Sequence, residues 1–201
     1  MQLLGSLTSP YVRLVRVLLA EKGLADEVEL VLTNPMADSP ELRAANPLGK
    51  VPALVNTPVG TLFDSRLICE FLDAWHPHPS LIPSHGSERW DCLQRVVLAQ
   101  GLMDAAVATV FERGRPEANQ SPLWLQRWDT AMDAALQQIS QQDLDPAATD
   151  LGRATTAVAL GYLDFRHPHK LWRDHYPALA AWADTWMARP SMQTTQPPKD
   201  A

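Results

Sequence analysis

The sequence predicts two regions of different fold class, a small α/β unit followed by an all-helical region. Over residues 1–76, short strand-like runs alternate with helical periodicity in the order βαβαββα. After residue 86 every strong signal has helical periodicity. Three prolines between these regions interrupt both patterns. We therefore expect an α/β domain over 1–76, a linker over 77–86 and an all-α domain over 87–201.

The α/β region begins with a predicted strand–helix–strand unit. A short strand opens at Leu3-Leu4, and a second strand covers 28–32 with alternate apolar residues on one face. The helix between them ends at Gly23, a residue type that favours helix C-termini. Its apolar face repeats at helical spacing and consists of Tyr11, Leu14, Val15, Leu18 and Leu19.

The second part of this region is predicted to contain a short helix, a hairpin and a closing helix. The short helix covers 41–46 and stops before Pro47. Strands at 51–55 and 61–63 flank a loop of turn-forming residues. The closing helix has its apolar residues on one face: Leu67, Ile68, Phe71, Leu72 and Trp75.

Four longer helices are predicted in the C-terminal region, each with an apolar stripe. Proline, glycine and aspartate residues separate them and mark the turns. The predicted helices cover 87–113, 122–142, 150–165 and 176–188. Because each has an apolar face, they must pack together or against the first domain.

Composition restricts the class of protein. The net charge is −6 without a basic run, which argues against nucleic acid as the main partner. The N-terminus lacks the features of an export signal, and no stretch approaches the ~20 apolar residues that span a bilayer. We expect no membrane partner and a cytoplasmic location.

Neither the cysteines nor the histidines form a predicted metal site. Cys69 and Cys92 lack metal-ligand spacing and are interpreted as reduced core thiols. His76-Pro-His78 and His167-Pro-His169 are interpreted as exposed loops, because no set of carboxylates or cysteines accompanies them. The sequence therefore predicts no metal.

The segment Thr8-Ser9-Pro10 lies where the first predicted strand gives way to the first helix. Ser9 suits the N-cap and Pro10 the first helical position, so a structural interpretation is sufficient. A hydroxyl beside free helix amides can also stabilise an anion, including a thiolate brought by a ligand. Both interpretations remain open on these residues alone.

Two further segments combine turn chemistry with possible ligand binding. Pro52 at the start of a strand is explained either by an edge position or by a cis bond that turns backbone groups toward a ligand. Asp64-Ser65 precedes a helix and suits N-capping. The same pair can hold a ligand that has an ammonium group and a carboxylate at one end.

These segments together resemble the signatures of the glutathione S-transferase family, in order and in separation. The matching runs are 8–13, 46–54 and 64–68, and residues 159–166 resemble the core helix of bacterial members. The family's N-terminal domain has the thioredoxin-like βαβαββα fold, and an all-α domain follows it. One departure is at 150–153, where Arg153 replaces the acid of the usual capping box.

The resemblance implies a serine-type active site with glutathione as co-substrate. Ser9 takes the position of the residue that hydrogen-bonds the glutathione sulfur, with Thr8 and Tyr11 as alternatives. The other implied glutathione contacts are the Val51 backbone with the cysteinyl moiety, the cis-proline Pro52, Asp64 and Ser65 with the γ-glutamyl end, and Lys50 with the glycine carboxylate.

The implied activity is attack of the glutathione thiolate on a small, hydrophobic electrophile, as in detoxification. The electrophile is expected near the domain interface, with Tyr11, Met103, Phe111 and Tyr162 as candidate contacts. The resemblance also implies a homodimer, in which the N-terminal domain of one subunit faces the first long helix of the other's C-terminal domain. Asp104 would then approach the ligand across the dimer.

Two other functions remain open. A non-catalytic, glutathione-transferase-like binding or regulatory protein would keep the fold and use the pocket weakly or not at all. A glutathione-dependent isomerase would add the same thiolate reversibly to an activated double bond. Transfer through a protein cysteine is disfavoured, because position 9 is serine.

Overall fold

The computed structural model describes residues 1–143 and 145–198, and its N-terminal region has the predicted order βαβαββα. The elements of this region are β1 (Gln2–Gly5), α1 (Pro10–Glu21), β2 (Glu29–Leu32), α2 (Pro40–Ala45), β3 (Ala53–Thr57), β4 (Gly60–Leu62) and α3 (Ser65–Trp75). The fold class predicted from the sequence is confirmed here.

The strands form one mixed sheet in the order β2-β1-β3-β4. β1 and β2 are parallel and are joined by α1, as expected for a strand–helix–strand crossover. β3 runs antiparallel to both β1 and β4. The end of β1 therefore lies beside the start of β3, with Leu4 opposite Ala53, and the end of β4 lies beside it in turn, with Leu54 opposite Leu62.

Helix α1 packs closely on the sheet because Gly5 leaves room for it. A Cβ at Gly5 would lie 2.6 Å from Cγ1 of Val12, closer than packed atoms approach. The buried face of α1 includes Leu14, Val15 and Leu18, as predicted. The helix ends before Gly23, whose φ of +71° is the left-handed conformation that glycine adopts without strain.

The structure differs from the predicted elements at several positions. β3 begins two residues later than expected, at Ala53, because Pro52 has no N–H for the sheet. On α3, Leu67 and Trp75 are about half exposed, although they were predicted on the apolar face. A carboxylate, Asp73, is buried on this helix instead.

Asp73 is buried because it is fully satisfied by hydrogen bonds. It accepts from Nζ of Lys22 at 2.8 Å, from the amide of Leu81 at 2.8 Å and from the amide of Ile82 at 3.0 Å. Nζ of Lys22 also donates to the carbonyl oxygen of Pro79 at 2.6 Å. This network fixes residues 79–82, which were predicted as linker, to the first unit.

The second unit is helical and is built around one buried helix. Its elements are α4 (Gly86–Arg113), α5 (Pro122–Ser140), α6 (Leu151–Arg166), α7 (Trp172–His175) and α8 (Pro177–Met187). Most of α6 is buried, and a Cβ at Gly152 would lie 2.7 Å from the carbonyl oxygen of Cys92, so α4 and α6 are in close contact there. A further short helix, α9 (Pro190–Gln193), follows this unit.

Helix α6 is capped despite the unusual residue at its third position. Oδ1 of Asp150 accepts from the amide of Arg153 at 2.8 Å, which is an N-cap hydrogen bond. The Arg153 guanidinium donates back to the other oxygen of Asp150 and also pairs with Asp143 at 3.1 Å. Arginine cannot complete a capping box, but here it orients the capping carboxylate.

The two compact units do not follow the predicted domain boundaries throughout. One unit contains Met1–Pro83 together with the described chain from Arg189 onward, and the other contains Ser84–Ala188. The expected boundaries placed residues 77–83 in a linker and the C-terminal segment in the helical domain. Among the described residues, no helix has both the length and the apolar composition that crossing a membrane requires.

Candidate functional site

Ser9 is the N-cap of α1, and its hydroxyl can still donate a hydrogen bond while it accepts one in the cap. Its backbone is extended, and Oγ accepts from the amide of Val12 at 3.3 Å, with Pro10 at the first helical position. A hydroxyl has two acceptor lone pairs and one proton, and capping uses only a lone pair. In residues 1–143 and 145–198 the structure gives the Ser9 proton no acceptor.

The two alternatives to Ser9 have different surroundings. The hydroxyl of Thr8 lies 3.1 Å from that of Ser6, and the amide of Thr8 donates to the same Ser6 oxygen at 3.4 Å. Tyr11 is half-buried on the first turn of α1. Of the two hydroxyls at the start of α1, Thr8 is therefore engaged with a neighbour and Ser9 is available as a donor.

A buried asparagine, Asn46, shapes the loop before β3. Its Nδ2 donates to the carbonyl oxygen of Lys50 at 2.8 Å, and its Oδ1 accepts from the amide of Leu48 at 3.0 Å. Gly49 completes the turn with φ of +64°. The sequence interpretation gave Asn46 no role, although Asn followed by Pro-Leu-Gly is the pattern of a side-chain-stabilised turn.

Val51 presents unpaired backbone groups at the end of this loop. The Val51-Pro52 bond is cis, as the family resemblance implied. Val51 is only 9% exposed, yet within the described residues neither its N–H nor its C=O has a hydrogen-bond partner. Buried backbone groups are normally paired. Because those of Val51 are not, they are available to an extended ligand. The Lys50 side chain next to them is exposed.

At the start of α3 the capping residue is Asp64. Oδ1 of Asp64 accepts from the amide of Arg66 at 3.0 Å, whereas Ser65 is the first helical residue and is buried. Both residues of the pair suited the N-cap in the sequence, and the structure gives that position to Asp64. Asp64 is exposed and uses one oxygen for the cap, which leaves its second oxygen for an ammonium group.

The sheet brings these three segments to the same end, where β1 and β4 finish and β3 begins. Ser9 follows β1, Val51 precedes β3 and Asp64 follows β4. Because β3 is antiparallel to both of its neighbours, the end of β1, the start of β3 and the end of β4 lie side by side. The N-termini of α1 and α3 and the unpaired backbone of Val51 therefore lie at the same end of the sheet. This arrangement suits an extended anionic ligand.

The other predicted contacts lie on helices and differ in burial. Met103 is fully buried on α4 and Tyr162 is buried on α6, where burial raises the pKa of its phenol. Phe111 on α4 is 57% exposed, and Asp104 on the same helix is exposed. Their roles toward an electrophile and across a dimer stay predictions.

Both cysteines are free and buried, as expected. Burial is the main cause that raises the pKa of each thiol, strongly for Cys69 and to about 11 for Cys92. They are therefore protonated at neutral pH and are poor nucleophiles. Their inertness agrees with the expectation that no protein cysteine carries the chemistry.

The histidine tract at 167–169 is less exposed than predicted. His167 is 1% exposed, because it closes the C-terminus of α6 against α4. Over residues 1–143 and 145–198, no group of three or more histidine, cysteine or carboxylate side chains is placed to hold a metal ion.

Comparison with known proteins gives matches over the whole chain. The family model for the N-terminal domain of glutathione S-transferases matches residues 8–75. The chain is 33% identical to the "Uncharacterized GST-like protein YibF" of Escherichia coli K12, over 99% of this chain and all of that protein. A stringent starvation protein A homolog of Pasteurella multocida is 45% identical to this chain over 83 residues, which make up 41% of this chain and 38% of that protein.

Solved structures with the same fold include proteins with bound glutathione. A glutathione transferase family member from Pseudomonas fluorescens Pf-5, solved with glutathione, is 40% identical with a TM-score of 0.93, and the match covers 98% of each chain. A glutathione S-transferase from Methylobacillus flagellatus KT, also with glutathione bound, is 37% identical with a TM-score of 0.89, over 98% of this chain and 99% of that one.

Proposed function

Because this chain belongs to the glutathione S-transferase family, we propose that it is a glutathione transferase acting on a small, hydrophobic electrophile. The observation that carries this proposal is the Ser9 hydroxyl. It caps α1 through a lone pair and retains a proton to donate. It also lies at the same end of the sheet as Val51 and Asp64. A ligand sulfur placed there would meet a donor and the positive end of a helix dipole.

In the proposed complex, glutathione extends across that end of the sheet. Its cysteinyl moiety pairs with the free N–H and C=O of Val51, as a peptide pairs with an exposed strand. Its γ-glutamyl ammonium group pairs with the free oxygen of Asp64, and its carboxylate meets the amides at the start of α3, beside Ser65. The exposed ammonium group of Lys50 neutralises the glycine carboxylate.

Ser9 is proposed to make the sulfur nucleophilic. A free thiol has a pKa of about 8.5 and is mostly protonated at neutral pH. A hydrogen bond from Ser9 and the α1 N-terminus both favour the thiolate, and a lowering of about one to two pKa units corresponds to roughly 1.4–2.7 kcal/mol. The thiolate then forms a carbon–sulfur bond with the electrophile. The leaving group departs with its electron pair, or an activated double bond takes up a proton.

The electrophile is proposed to lie among apolar side chains, which would orient it and exclude water. Tyr11, Met103, Phe111 and Tyr162 remain the candidates. Conjugation of such compounds corresponds to a role in detoxification. The proposed location is the cytoplasm, where thiols such as Cys69 and Cys92 stay reduced.

A homodimer is part of this proposal. Trp90, Val97 and Phe111 are exposed apolar residues separated by multiples of seven along α4, so they share one face of that helix. A second copy of the chain would cover this face with its N-terminal domain. Asp104 falls in the same series and would approach the partner's ligand.

A second candidate is a binding or regulatory protein without transferase activity. It is supported by the similarity of an 83-residue stretch of the chain to a protein named for stringent starvation rather than for a transferase. A glutathione-dependent isomerase uses the same thiolate and differs only in the fate of the adduct. A panel of electrophiles, including activated double bonds, separates these activities by their products.

The decisive experiment titrates the thiol of bound glutathione by the ultraviolet absorbance of the thiolate. Ser9→Ala is expected to raise the bound-thiol pKa and to slow conjugation, because the hydroxyl donor is lost. It is also expected to lower stability by about 0.5–2 kcal/mol through loss of the cap. The matched control is Ser121→Ala, which removes the same kind of Ser-Pro cap from α5.

The control separates the two roles of the residue. Ser121→Ala should lower stability by a similar amount and leave the bound-thiol pKa at the wild-type value. If Ser9→Ala is folded and leaves both the thiol pKa and the turnover unchanged, Ser9 is only a cap. Thr8 or Tyr11 then becomes the better candidate for the sulfur contact.

A further inference from the structure

Among the described residues, the first unit buries two cations, on α1 and just after it, and only one of them pairs with a carboxylate. The Lys22 side chain is fully buried and forms an ion pair with Asp73 at 2.8 Å. Arg13 is 6% exposed, and its contact in the described residues is a single hydrogen bond from Nη2 to the carbonyl oxygen of Met192 at 3.2 Å. Its buried Nε has no hydrogen-bond partner in the part of the chain that the structure describes.

No carboxylate of the described residues compensates the charge of Arg13. Its charged neighbour is Arg16, which donates to the carbonyl oxygen of Thr194 at 3.1 Å and adds positive charge. Burial, followed by the charge of Arg16, lowers the pKa of Arg13 to about 10, so the guanidinium still carries its charge at neutral pH. A buried, unpaired charge opposes folding unless an anion is bound nearby.

The position of Arg13 relates this charge to the candidate site. Its amide donates to the carbonyl oxygen of Ser9 at 3.0 Å, so it lies one helical turn after Ser9. Long side chains on α-helices point back toward the N-terminus. A positive charge carried one turn from Ser9 acts in the same direction as the positive end of the α1 dipole, because both favour an anion at the Ser9 hydroxyl.

We propose that Arg13 is a positioning residue whose buried charge, which no carboxylate of the described residues pairs, shifts the bound glutathione thiol toward the thiolate without touching the sulfur. This inference rests on the proposed function, because it needs a thiol at Ser9. As a general scale, a unit charge at about 10 Å, in surroundings with an effective dielectric constant of about 20, changes a pKa by roughly one unit. The field of Arg13 thus supplements the hydrogen bond from Ser9.

The test compares thiol titrations of bound glutathione in three proteins. Arg13→Met keeps the aliphatic volume and removes the charge, together with the hydrogen bond to Met192. Ser191→Ala is the control for that hydrogen bond, because Oγ of Ser191 fixes the same segment to Glu21 of α1 at 2.5 Å and carries no charge. Arg13→Gln serves as a second neutral variant if Arg13→Met fails to fold.

We expect the neutral Arg13 variant to raise the bound-thiol pKa by about one unit, and Ser191→Ala to leave it unchanged. Affinity for S-methylglutathione, which has no ionisable thiol, should equal that of wild type in both. This result would distinguish an effect on ionisation from a contact with a carboxylate of the ligand.

Three results would overturn the inference. An unchanged thiol pKa in a folded neutral variant removes the electrostatic role. An equal shift in Ser191→Ala assigns the effect to docking of the C-terminal segment. A loss of S-methylglutathione binding makes Arg13 a ligand contact. If wild-type protein does not lower the thiol pKa of glutathione at all, the proposed function itself fails, and with it the basis for Arg13.

Discussion

Single residues determine how a capping position becomes a chemical one. Ser9, Ser39 and Ser121 all precede a proline and all cap helices through Oγ. The sequence predicts the cap at Ser9 from this local pattern. It does not distinguish the three serines, because the difference is their position in the tertiary fold. Of the three, only Ser9 follows a central strand, and it lies at the end of the sheet where Val51 and Asp64 also lie.

The pair 64–65 shows the limit of local patterns at the same scale. Both residue types are favoured at an N-cap, so the sequence leaves the helix start uncertain by one residue. The structure places Asp64 at the cap and buries Ser65. The burial of Ser65 depends on packing of α3 against the sheet, which no adjacent residue encodes.

Asp64 is predicted to bind glutathione by charge as well as to cap α3. Asp64→Asn retains capping ability and loses the charge, so stability should stay near wild type while glutathione affinity falls about tenfold or more. Asp64→Ala should lose affinity and also stability. Titration calorimetry with a parallel thermal melt measures both quantities. Wild-type affinity in a folded double variant of Asp64 and Ser65 would refute the assignment.

At the scale of elements, long periodic helices were predicted well and short or edge elements were not. α4 and α6 agree with prediction within one residue at each end, because their apolar stripes extend over several turns. α7 and α9 have four residues each and are too short to show a period. In β2, Leu32 is exposed because this strand is at the edge of the sheet.

The contact between α6 and α4 depends on a buried, neutral histidine. Nε2 of His167 lies 3.0 Å from the carbonyl oxygen of Ala106, and since a carbonyl only accepts, Nε2 carries the proton. Nδ1 is buried and has no hydrogen-bond partner among residues 1–143 and 145–198. Burial is the largest cause that lowers the pKa of His167, and the charges of His169, Arg113 and Lys170 lower it further.

The protein is therefore predicted to lose stability on mild acidification through His167. Because the folded-state pKa is below the unfolded value of about 6.5, the unfolded state binds more protons, and stability falls as pH drops through and below that value. One such group contributes at most about 1.4 kcal/mol per pH unit. Denaturant unfolding of His167→Gln between pH 7.5 and 5 should show a smaller slope than wild type. His78→Gln, at an exposed histidine, is the control and should keep the wild-type slope.

A histidine variant with the wild-type pH slope would contradict this assignment. It would mean that protonation of other groups controls acid stability. A loss of stability that is equal at all pH values would indicate that the hydrogen bond to Ala106 matters and that the ionisation of His167 does not.

At the scale of the whole molecule, long-range contacts set the boundaries that the sequence did not predict. The chain from Arg189 onward belongs with the first unit, where Arg189 and Ser191 both bind Glu21. These partners are 168 and 170 residues apart in sequence. A composition change marked the break near residue 83, but no local pattern could show that the segment returns to α1.

The exposed face of α4 bears on the oligomeric state. Trp90 and Val97 are 69% and 52% exposed, and Phe111 continues the series. Between them, a Cβ at Gly101 would meet no described atom within 4 Å apart from its chain neighbours and the nearby backbone of α4, so this stretch of the helix surface is open. Large apolar side chains grouped on one face mark an interaction surface more often than isolated ones do.

We predict that the protein is a homodimer that uses this face. Sedimentation velocity at micromolar concentration should give twice the chain mass of 22.3 kDa for wild type. Val97→Glu should shift the protein toward monomer, because a carboxylate buried in the interface would lack a partner. Leu171→Glu is the control: Leu171 is also exposed and apolar, but it lies outside α4, so this variant should remain dimeric. A monomeric wild type, or a Val97→Glu variant as dimeric as the control, would mean that α4 does not form the interface and that Asp104 cannot reach a partner's ligand.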